Sequence, residues 1–303
     1  MRLGVDYGGT NLKMGMFDES GAEIRFREDR LEPFTRGGDV ASNIVDHLRA
    51  FAGADRPASV GFASKGLVNR SQGIIEQDIG AGSLIAGVPL GQLLSHAFGV
   101  PVVLENDARA YAWGEWRFGA GRGSRLLVCM TFGTGVGAAV IADGRPYEGT
   151  DPAGGLLGGH LTIDRNGPPC PCGNRGCLER YCSATAMHEV VSRRHPELET
   201  RGRDALESFF AAADKGPSPY RETLEEFQDA MALGIVNVIH AYGPDAVVLG
   251  GGLMLSGGVF LPGVQHRVDR MAWTFPRGKI RLRTAALGNR AAAMGVAFHP
   301  ELA

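Results

Sequence analysis

Leu3-Gly4-Val5-Asp6-Tyr7-Gly8-Gly9-Thr10 reads as an apolar strand that reaches a carboxylate and breaks into a glycine turn carrying a threonine. A first strand from Arg2 to Val5, a second from Leu12 to Phe17 and a third from Ala22 to Phe26 surround this turn and the polar turn Asp18-Glu19-Ser20-Gly21. The plan returns roughly 125 residues further on. There an apolar strand from Arg125 to Thr131 meets the turn Phe132-Gly133-Thr134-Gly135, a strand from Val136 to Ala142 follows, and Asp143-Gly144 closes a hairpin. Two copies of one strand–turn–strand unit predict an α/β chain made by internal duplication. The expectation is two similar lobes facing a cleft, with the two glycine turns opposite each other.

The intervening sequence fits that plan. Val40, Ile44, Leu48 and Phe51 recur at helical spacing and predict a helix over 39–52. Val60 to Ala63 and Val100 to Glu105 read as buried strands, with an amphipathic stretch at 90–98 before the second. Asn106 to Phe118 reads as a helix with Asn106 or Asp107 placed to cap it. Trp113 and Trp116 on that helix read as packing residues. Further helices are expected at 184–194, 203–214 and 220–241, the last carrying Leu224, Phe227, Met231, Ile235 and Val238. Ala246 to Leu249 is a strand running into Gly250-Gly251-Gly252, and Asn289 to Phe298 is a closing helix. This pattern assigns 1–118 with 287–303 to a first lobe and 119–286 to a second.

Composition narrows the functional classes. The 303 residues carry 31 Lys+Arg against 33 Asp+Glu, a formal net charge of −2. That balance lacks the basic footprint of a nucleic-acid binder and the polybasic anchor of a lipid-surface protein. No stretch approaches the roughly 20 apolar residues of a membrane span. Met1-Arg2-Leu3-Gly4-Val5-Asp6 has no apolar signal region, so a cytoplasmic protein is expected. Five cysteines, an odd number without an export signal, argue against a disulfide framework.

Several residues carry chemistry. In Asp6-Tyr7-Gly8-Gly9-Thr10-Asn11 the glycines let backbone N–H groups turn toward an anion, and Thr10 adds a hydroxyl donor. Asp6 is placed to orient Mg²⁺, directly or through water. An ordinary hairpin turn is the plainer alternative. Phe132-Gly133-Thr134-Gly135-Val136-Gly137 is the second such turn. With Val248-Leu249-Gly250-Gly251-Gly252 the two turns would bracket the phosphates and the sugar-base part of ATP. Neither is a P-loop, since no Gly-Lys-Ser/Thr follows, and neither is a dinucleotide fingerprint, since each leads into a strand. Leu104-Glu105-Asn106-Asp107 ends a strand and opens a helix. Asp107 could draw a proton from a substrate hydroxyl and Asn106 could hold neighbouring hydroxyls; helix capping is the competing role for Asp107.

The strongest local signal is His160-x9-Cys170-x-Cys172-x4-Cys177. One imidazole and three thiolates suit tetrahedral Zn²⁺, and four protein ligands make a closed, structural site. Glu179, two residues past Cys177, would be held rigidly beside this knuckle as a candidate substrate contact. Cys129 and Cys182 read as core residues, Cys182 at a helix start. The histidines at 47, 96, 188, 195, 240, 266 and 299 show no spacing that marks a site.

Together, Asp6-Tyr7-Gly8-Gly9-Thr10-Asn11-Leu12-Lys13, Leu104-Glu105-Asn106-Asp107-Ala108, Phe132-Gly133-Thr134-Gly135-Val136-Gly137 and Cys170-Pro171-Cys172-Gly173-Asn174-Arg175-Gly176-Cys177-Leu178-Glu179 resemble the ROK family of sugar kinases and their repressor relatives, over essentially the whole chain. The resemblance implies the two-domain actin/hexokinase-like (ribonuclease H-like) fold, with ATP and sugar in the cleft. It implies that Asp107 is the catalytic base for a sugar hydroxyl, usually O6. It places Asp6, Gly8, Gly9, Thr10, Asn11, Lys13, Gly133, Thr134 and Gly135 around the phosphates and Mg²⁺, and Gly251 and Gly252 on the adenosine side. Asn106, His160, Glu179 and the backbone at Gly66 match sugar contacts, with His160 serving the zinc and the sugar at once.

Three departures from the family pattern bear on the sugar. Leu157 stands where the family usually has a glutamate three residues before the zinc histidine. Lys65-Gly66 replaces the usual Pro-Gly, and Asp78-Ile79-Gly80-Ala81-Gly82-Ser83 replaces a usual Trp/Asn region. The expectation is an ATP- and Mg²⁺-dependent kinase of a hexose or modified hexose, homo-oligomeric (dimer or tetramer) by resemblance, with no nucleic-acid or membrane partner. A sugar-binding relative with weak or no kinase activity, or a kinase of an unusual sugar, is the alternative. A repressor fits less well, since only five residues precede Asp6, where a DNA-binding helix-turn-helix would lie.

Overall fold

The computed structural model describes residues 1–35, 39–77, 84–150, 154–155, 158–201 and 205–302. In chain order it contains β1 (Arg2–Tyr7), β2 (Asn11–Phe17), β3 (Glu23–Arg30), α1 (Val40–Ala52), β4 (Val60–Ser64), β5 (Leu67–Asn69), β6 (Ile74–Gln77), α2 (Leu90–Phe98), β7 (Val102–Asn106) and α3 (Asp107–Phe118). There follow β8 (Leu126–Phe132), β9 (Val136–Ala142), β10 (Arg145–Pro146), α4 (Glu179–Cys182), α5 (Ala184–Arg194), α6 (Ala205–Ala213), α7 (Pro219–Tyr242), β11 (Ala246–Gly250), α8 (Gly257–Met271), β12 (Leu282–Thr284) and α9 (Ala291–Ala297).

One five-stranded sheet has the order β3-β2-β1-β4-β7 and another the order β10-β9-β8-β11-β12. Position by position the two orders correspond. In each sheet the strand before the glycine turn (β1 or β8) has the strand after it on one side. On its other side lie two later strands that run parallel to it, β4 and β7 or β11 and β12. The duplication read from the sequence is therefore a duplication of sheet topology. Asp143, at φ 48°, and Gly144, at φ 74°, make the left-handed pair that a tight hairpin turn requires.

The chain forms two compact units. The first comprises Met1–Gly123, Val140–Leu156 and Ala286–Ala303; the second comprises Ser124–Ala139 and Leu157–Ala285. The segment from Val140 thus groups with the first unit, whereas the sequence pattern places it in the second.

In the first unit β1 is buried from Leu3 to Tyr7 because helices cover both faces of its sheet. On one face Leu3, Val5, Leu12, Met14 and Phe62 pack with Ile44, Leu48 and Phe51 of α1 and Leu94 of α2. Each such side chain contributes about 1.5–3 kcal/mol by leaving water. Asp39 caps α1 through the Ala41 N–H, at 3.1 Å. α9 packs against β1, β4 and α3 and is buried along its whole length. Gly4, Gly61 and Gly114 admit it, since a Cβ at any of them would run into the carbonyls of Ala293, Val296 or Ala291. Trp113 and Trp116 stack at 4.9 Å, and the Trp113 indole N–H donates to the Phe298 carbonyl at 2.7 Å.

In the second unit the helices α5 to α8 pack on one another, with α7 central. Ser218 caps α7, Pro219 starts it, and Gly243 ends it in the left-handed conformation, at φ 60°. Cys129 and Cys182 are buried, as expected, but Cys182 closes α4 rather than opening a helix. Among the described residues no helix is long and apolar enough to cross a membrane.

Candidate active site

β1, β4 and β7 run parallel and end together at Tyr7, Ser64 and Asn106. The edge so formed carries the first glycine turn, Gly66 and the start of α3. At such an edge ligands bind in open α/β sheets. The turn is closed by the Gly8 N–H donating to the Asn11 carbonyl at 3.0 Å. Neither Gly8 nor Gly9 has a positive φ, and a Cβ at Gly9 would meet nothing within 4 Å. The fold itself therefore does not demand glycine at position 9, and close approach from outside is what its small size leaves open.

Asp6 is buried at the end of β1, and Lys13, its cross-strand neighbour on β2, donates to it at 2.9 Å. Burial raises the Asp6 pKa, and the Lys13 ammonium only partly offsets that. Burial alone would lower Lys13, but the Asp6, Glu28 and Asp107 carboxylates hold it above its ordinary value. Lys13 thus stays charged, paired with Asp6 and within the field of Asp107.

The sequence left helix capping open between Asn106 and Asp107. Asn106 is the cap: its Oδ1 accepts from the N–H groups of Ala108 at 2.8 Å and Arg109 at 3.3 Å. Its Nδ2 donates to the Gly66 carbonyl at 3.0 Å. Asp107 is the first residue of α3 and accepts locally from the Ala108 N–H at 2.8 Å.

The second turn is built differently. The Gly133 N–H donates to the Gly135 carbonyl at 3.0 Å. Its outward groups are gripped by the segment that follows the knuckle. Glu179 Oε2 accepts from the Val136 N–H at 2.8 Å, the Gly133 carbonyl accepts from the Ala184 N–H at 2.7 Å, and the Thr134 carbonyl accepts from the Thr185 hydroxyl at 2.8 Å. Gly251, at φ 89°, lies against the Phe132 backbone, where a Cβ would overlap the carbonyl. A Cβ at Gly133 or Gly252 would meet nothing within 4 Å.

The ligand atoms of His160, Cys170, Cys172 and Cys177 all lie within 4.8 Å of one another. His160 Nδ1 is 3.4 Å from Cys170 Sγ, and the sulfurs of Cys172 and Cys177 are 3.7 Å apart. Tetrahedral zinc, with Zn–S near 2.3 Å and Zn–N near 2.0 Å, sets these spacings at about 3.5 and 3.8 Å. The donor set therefore fits the ion. Nδ1 is the ring nitrogen on the thiol side, which leaves Nε2 for another partner. Burial pushes Cys177 up to about 12, with the two neighbouring thiols adding to it. Backbone bonds hold the loop: Cys170 N–H to the Asn174 carbonyl and Gly176 N–H to the Pro168 carbonyl, both at 2.8 Å.

The structure thus brings Asp6, Lys13, Gly66, Asn106 and Asp107 together in the first unit. It brings Gly133–Gly135, Gly251, Glu179 and the knuckle together in the second. Leu157 and residues 78–83, read from sequence as bearing on the sugar, lie outside the described residues.

Comparison with known proteins decides the family: the description "ROK family" matches residues 2–299. The chain belongs to the ROK family. A glucokinase of Thermotoga maritima is 32% identical over 277 residues, covering 88% of this chain and 86% of that protein. A ROK family glucokinase of Streptomyces griseus, solved in complex with glucose and AMPPNP, superposes with a TM-score of 0.83 at 26% identity, covering 98% of each chain. A xylose repressor of Bacillus spizizenii is 27% identical over 301 residues, covering 97% of this chain and 75% of the repressor. The mixed α/β fold with its two related sheets is that of ROK kinases, the actin/hexokinase-like fold.

Sequence reasoning missed one feature beside Asp107. Glu105 is buried and meets Arg70, Arg109 and His299. A charge directly after the apolar run Val102-Val103-Leu104 was the available signal; Arg70 and His299, far away in sequence, gave none.

Proposed function

We propose that this chain is an ATP-dependent sugar kinase that phosphorylates a hexose or modified hexose at a hydroxyl, by preference the 6-hydroxyl, with Asp107 as general base. The observation that carries the reading is the division of labour between two neighbours. Asn106 takes the helix cap and the bond to Gly66, and Asp107 opens α3 at the ligand edge of the sheet, within the electrostatic field of Lys13. The likeness to glucokinases, one of them with glucose and AMPPNP, supports it.

In this reading the Asp107 carboxylate accepts the proton of the attacking hydroxyl as its oxygen engages the γ-phosphorus. Phosphoryl transfer asks little covalent chemistry of the protein, so positioning and electrostatics dominate. Gly8, Gly9, Thr10, Asn11 and Lys13, with Gly133, Thr134 and Gly135, supply N–H, hydroxyl and ammonium donors for phosphate oxygens. Gly251 and Gly252 offer backbone to the adenosine. Asp6 is the carboxylate for Mg²⁺, which when bound with the nucleotide neutralises phosphate charge. Gly66, Asn106, Glu179 and His160 Nε2 take sugar hydroxyls, while His160 Nδ1, Cys170, Cys172 and Cys177 hold a structural Zn²⁺.

ADP release measured across a panel of hexoses and N-acylated hexoses tests the reading. At least one sugar should be turned over, and Asp107→Asn should lower that turnover by about 10³-fold with ATP binding retained. Turnover of none, or a variant near the wild-type rate, removes the assignment.

A further inference from the structure

We propose that Glu105 and Arg70 are positioning residues that set the Asn106–Asp107 segment for proton abstraction; this rests on the reading of Asp107 as the base. Glu105 is fully buried, next to last in β7. Its Oε1 accepts the N–H of Asn106, the next residue, at 2.6 Å. The same carboxylate meets Arg109 at 3.4 Å, Arg70 at 3.1 Å and His299 at 3.3 Å. Burial would raise its pKa, yet the His299 hydrogen bond and the two guanidinium groups hold it below the ordinary carboxylate range. It is therefore an ionised group inside the protein.

An apolar side chain would serve stability at this place at least as well, because burying charges costs much of what their attraction returns. What the carboxylate adds is orientation. It fixes the peptide at which the strand becomes a helix, where Asn106 is still extended, at φ −66° and ψ 141°, and Asp107 is helical.

Arg70 carries the same constraint to other segments. It sits in the turn between β5 and β6 and also pairs with Glu148 and, at 3.4 Å, with Glu301. Arg109 donates to the Gly154 carbonyl at 2.6 Å. The strand β5 follows Gly66, whose carbonyl takes the Asn106 amide. Glu105 fixes Asn106 from the backbone side, and Gly66 fixes it from the side chain. Arg70 ties the β5–β6 ribbon to the carboxylate. Base segment and acceptor loop are thereby locked to one another by one ion cluster centred on the buried Glu105.

The test is steady-state kinetics of the full chain with ATP and a sugar that the wild type turns over, run beside Asp107→Asn. Arg70, partly exposed, is the site where substitution is best tolerated. Arg70→Gln should lower kcat about tenfold with the KM for ATP changed less than twofold, and Arg70→Lys should recover part of the loss. Glu105→Gln, where it folds, should lower kcat further. Hydrogen exchange of the Asn106 amide should then accelerate at least tenfold, with β2 unchanged. An Arg70→Gln enzyme at wild-type turnover, or one whose loss falls on the KM for ATP, overturns the proposal. If the wild type phosphorylates no sugar or Asp107→Asn stays active, the base assignment fails and takes this one with it. If those two hold and Arg70→Gln is normal, only this inference fails.

Discussion

The first and second glycine turns occupy equivalent places in equivalent sheets and are stabilised by different means. The first is dominated by charge: Asp6 and Lys13 face each other across β1 and β2, with Asp107 in Lys13's field. The second has no such pair at its base. Its equivalents of Asp6 and Lys13 are neutral, and it is gripped through its backbone by Glu179, Ala184, Thr185 and the close approach of Gly251. Duplication supplied one sheet topology twice; one copy carries the Asp6–Lys13 charge pair and the other a turn held through its backbone.

The contrast can be broken at its strongest point first. Asp6→Asn should lower turnover by about 10²- to 10³-fold, measured by ADP release, because it removes the only carboxylate of the first turn. Thr134→Val in the second should cost no more than about tenfold, since it removes one neutral hydroxyl donor and leaves the clamped carbonyl in place. Next, metal analysis of purified protein should find about one zinc per chain. Chelation should lower the melting temperature by about 10 °C, with exchange accelerated in the second turn and not the first. Third, Gly251→Ala should destabilise the protein by about 3 kcal/mol in urea unfolding, from the forbidden φ and the collision with Phe132. The same substitution at Gly9 is the sharper comparison. It should leave stability within about 0.5 kcal/mol and weaken ATP binding about tenfold. Equal stability losses at both glycines would erase the distinction between the turns.

The smallest expected effect is on the acid limb of stability. Glu105 has a lowered pKa in the folded state, so its contribution is fully present above the ordinary glutamate value of about 4.3 and is lost as pH falls through the folded value. Glu105→Gln should flatten the fall in unfolding free energy below about pH 4.3, measured by urea titration at several pH values. An unchanged slope would mean that the folded state does not hold the Glu105 carboxylate below its ordinary pKa.

Legibility followed locality. The hairpins β1–β2 and β8–β9 and the helices α1, α3 and α7 announce themselves because each carries its pattern within one short window. The ribbon β5–β6 does not, since three- and four-residue strands hold too little periodicity. The helix α8 opens with Gly257-Gly258 and contains Pro262 and Gly263, residues that read as breakers; packing on α7, where Gly263 fits against the Gln228 amide, overrides them. The edge strand β12 reads Leu282-Arg283-Thr284, too charged to signal a strand. At the candidate site the motifs fixed which residues to watch. The Asp6–Lys13 pair and the Glu105 cluster were not legible there, because each joins residues through the fold rather than through spacing; the cap was legible as Asn106 or Asp107, and side-chain geometry decides for Asn106.

α9 has one further consequence. Its small side chains are buried against β1, β4 and α3, and Glu115 on α3 binds the Ala286 and Leu287 N–H groups at 3.0 and 2.8 Å just before it. The first unit is therefore completed by a segment that the chain reaches only after tracing the second unit, so the slot on β1 and β4 stays open until both stretches have been made.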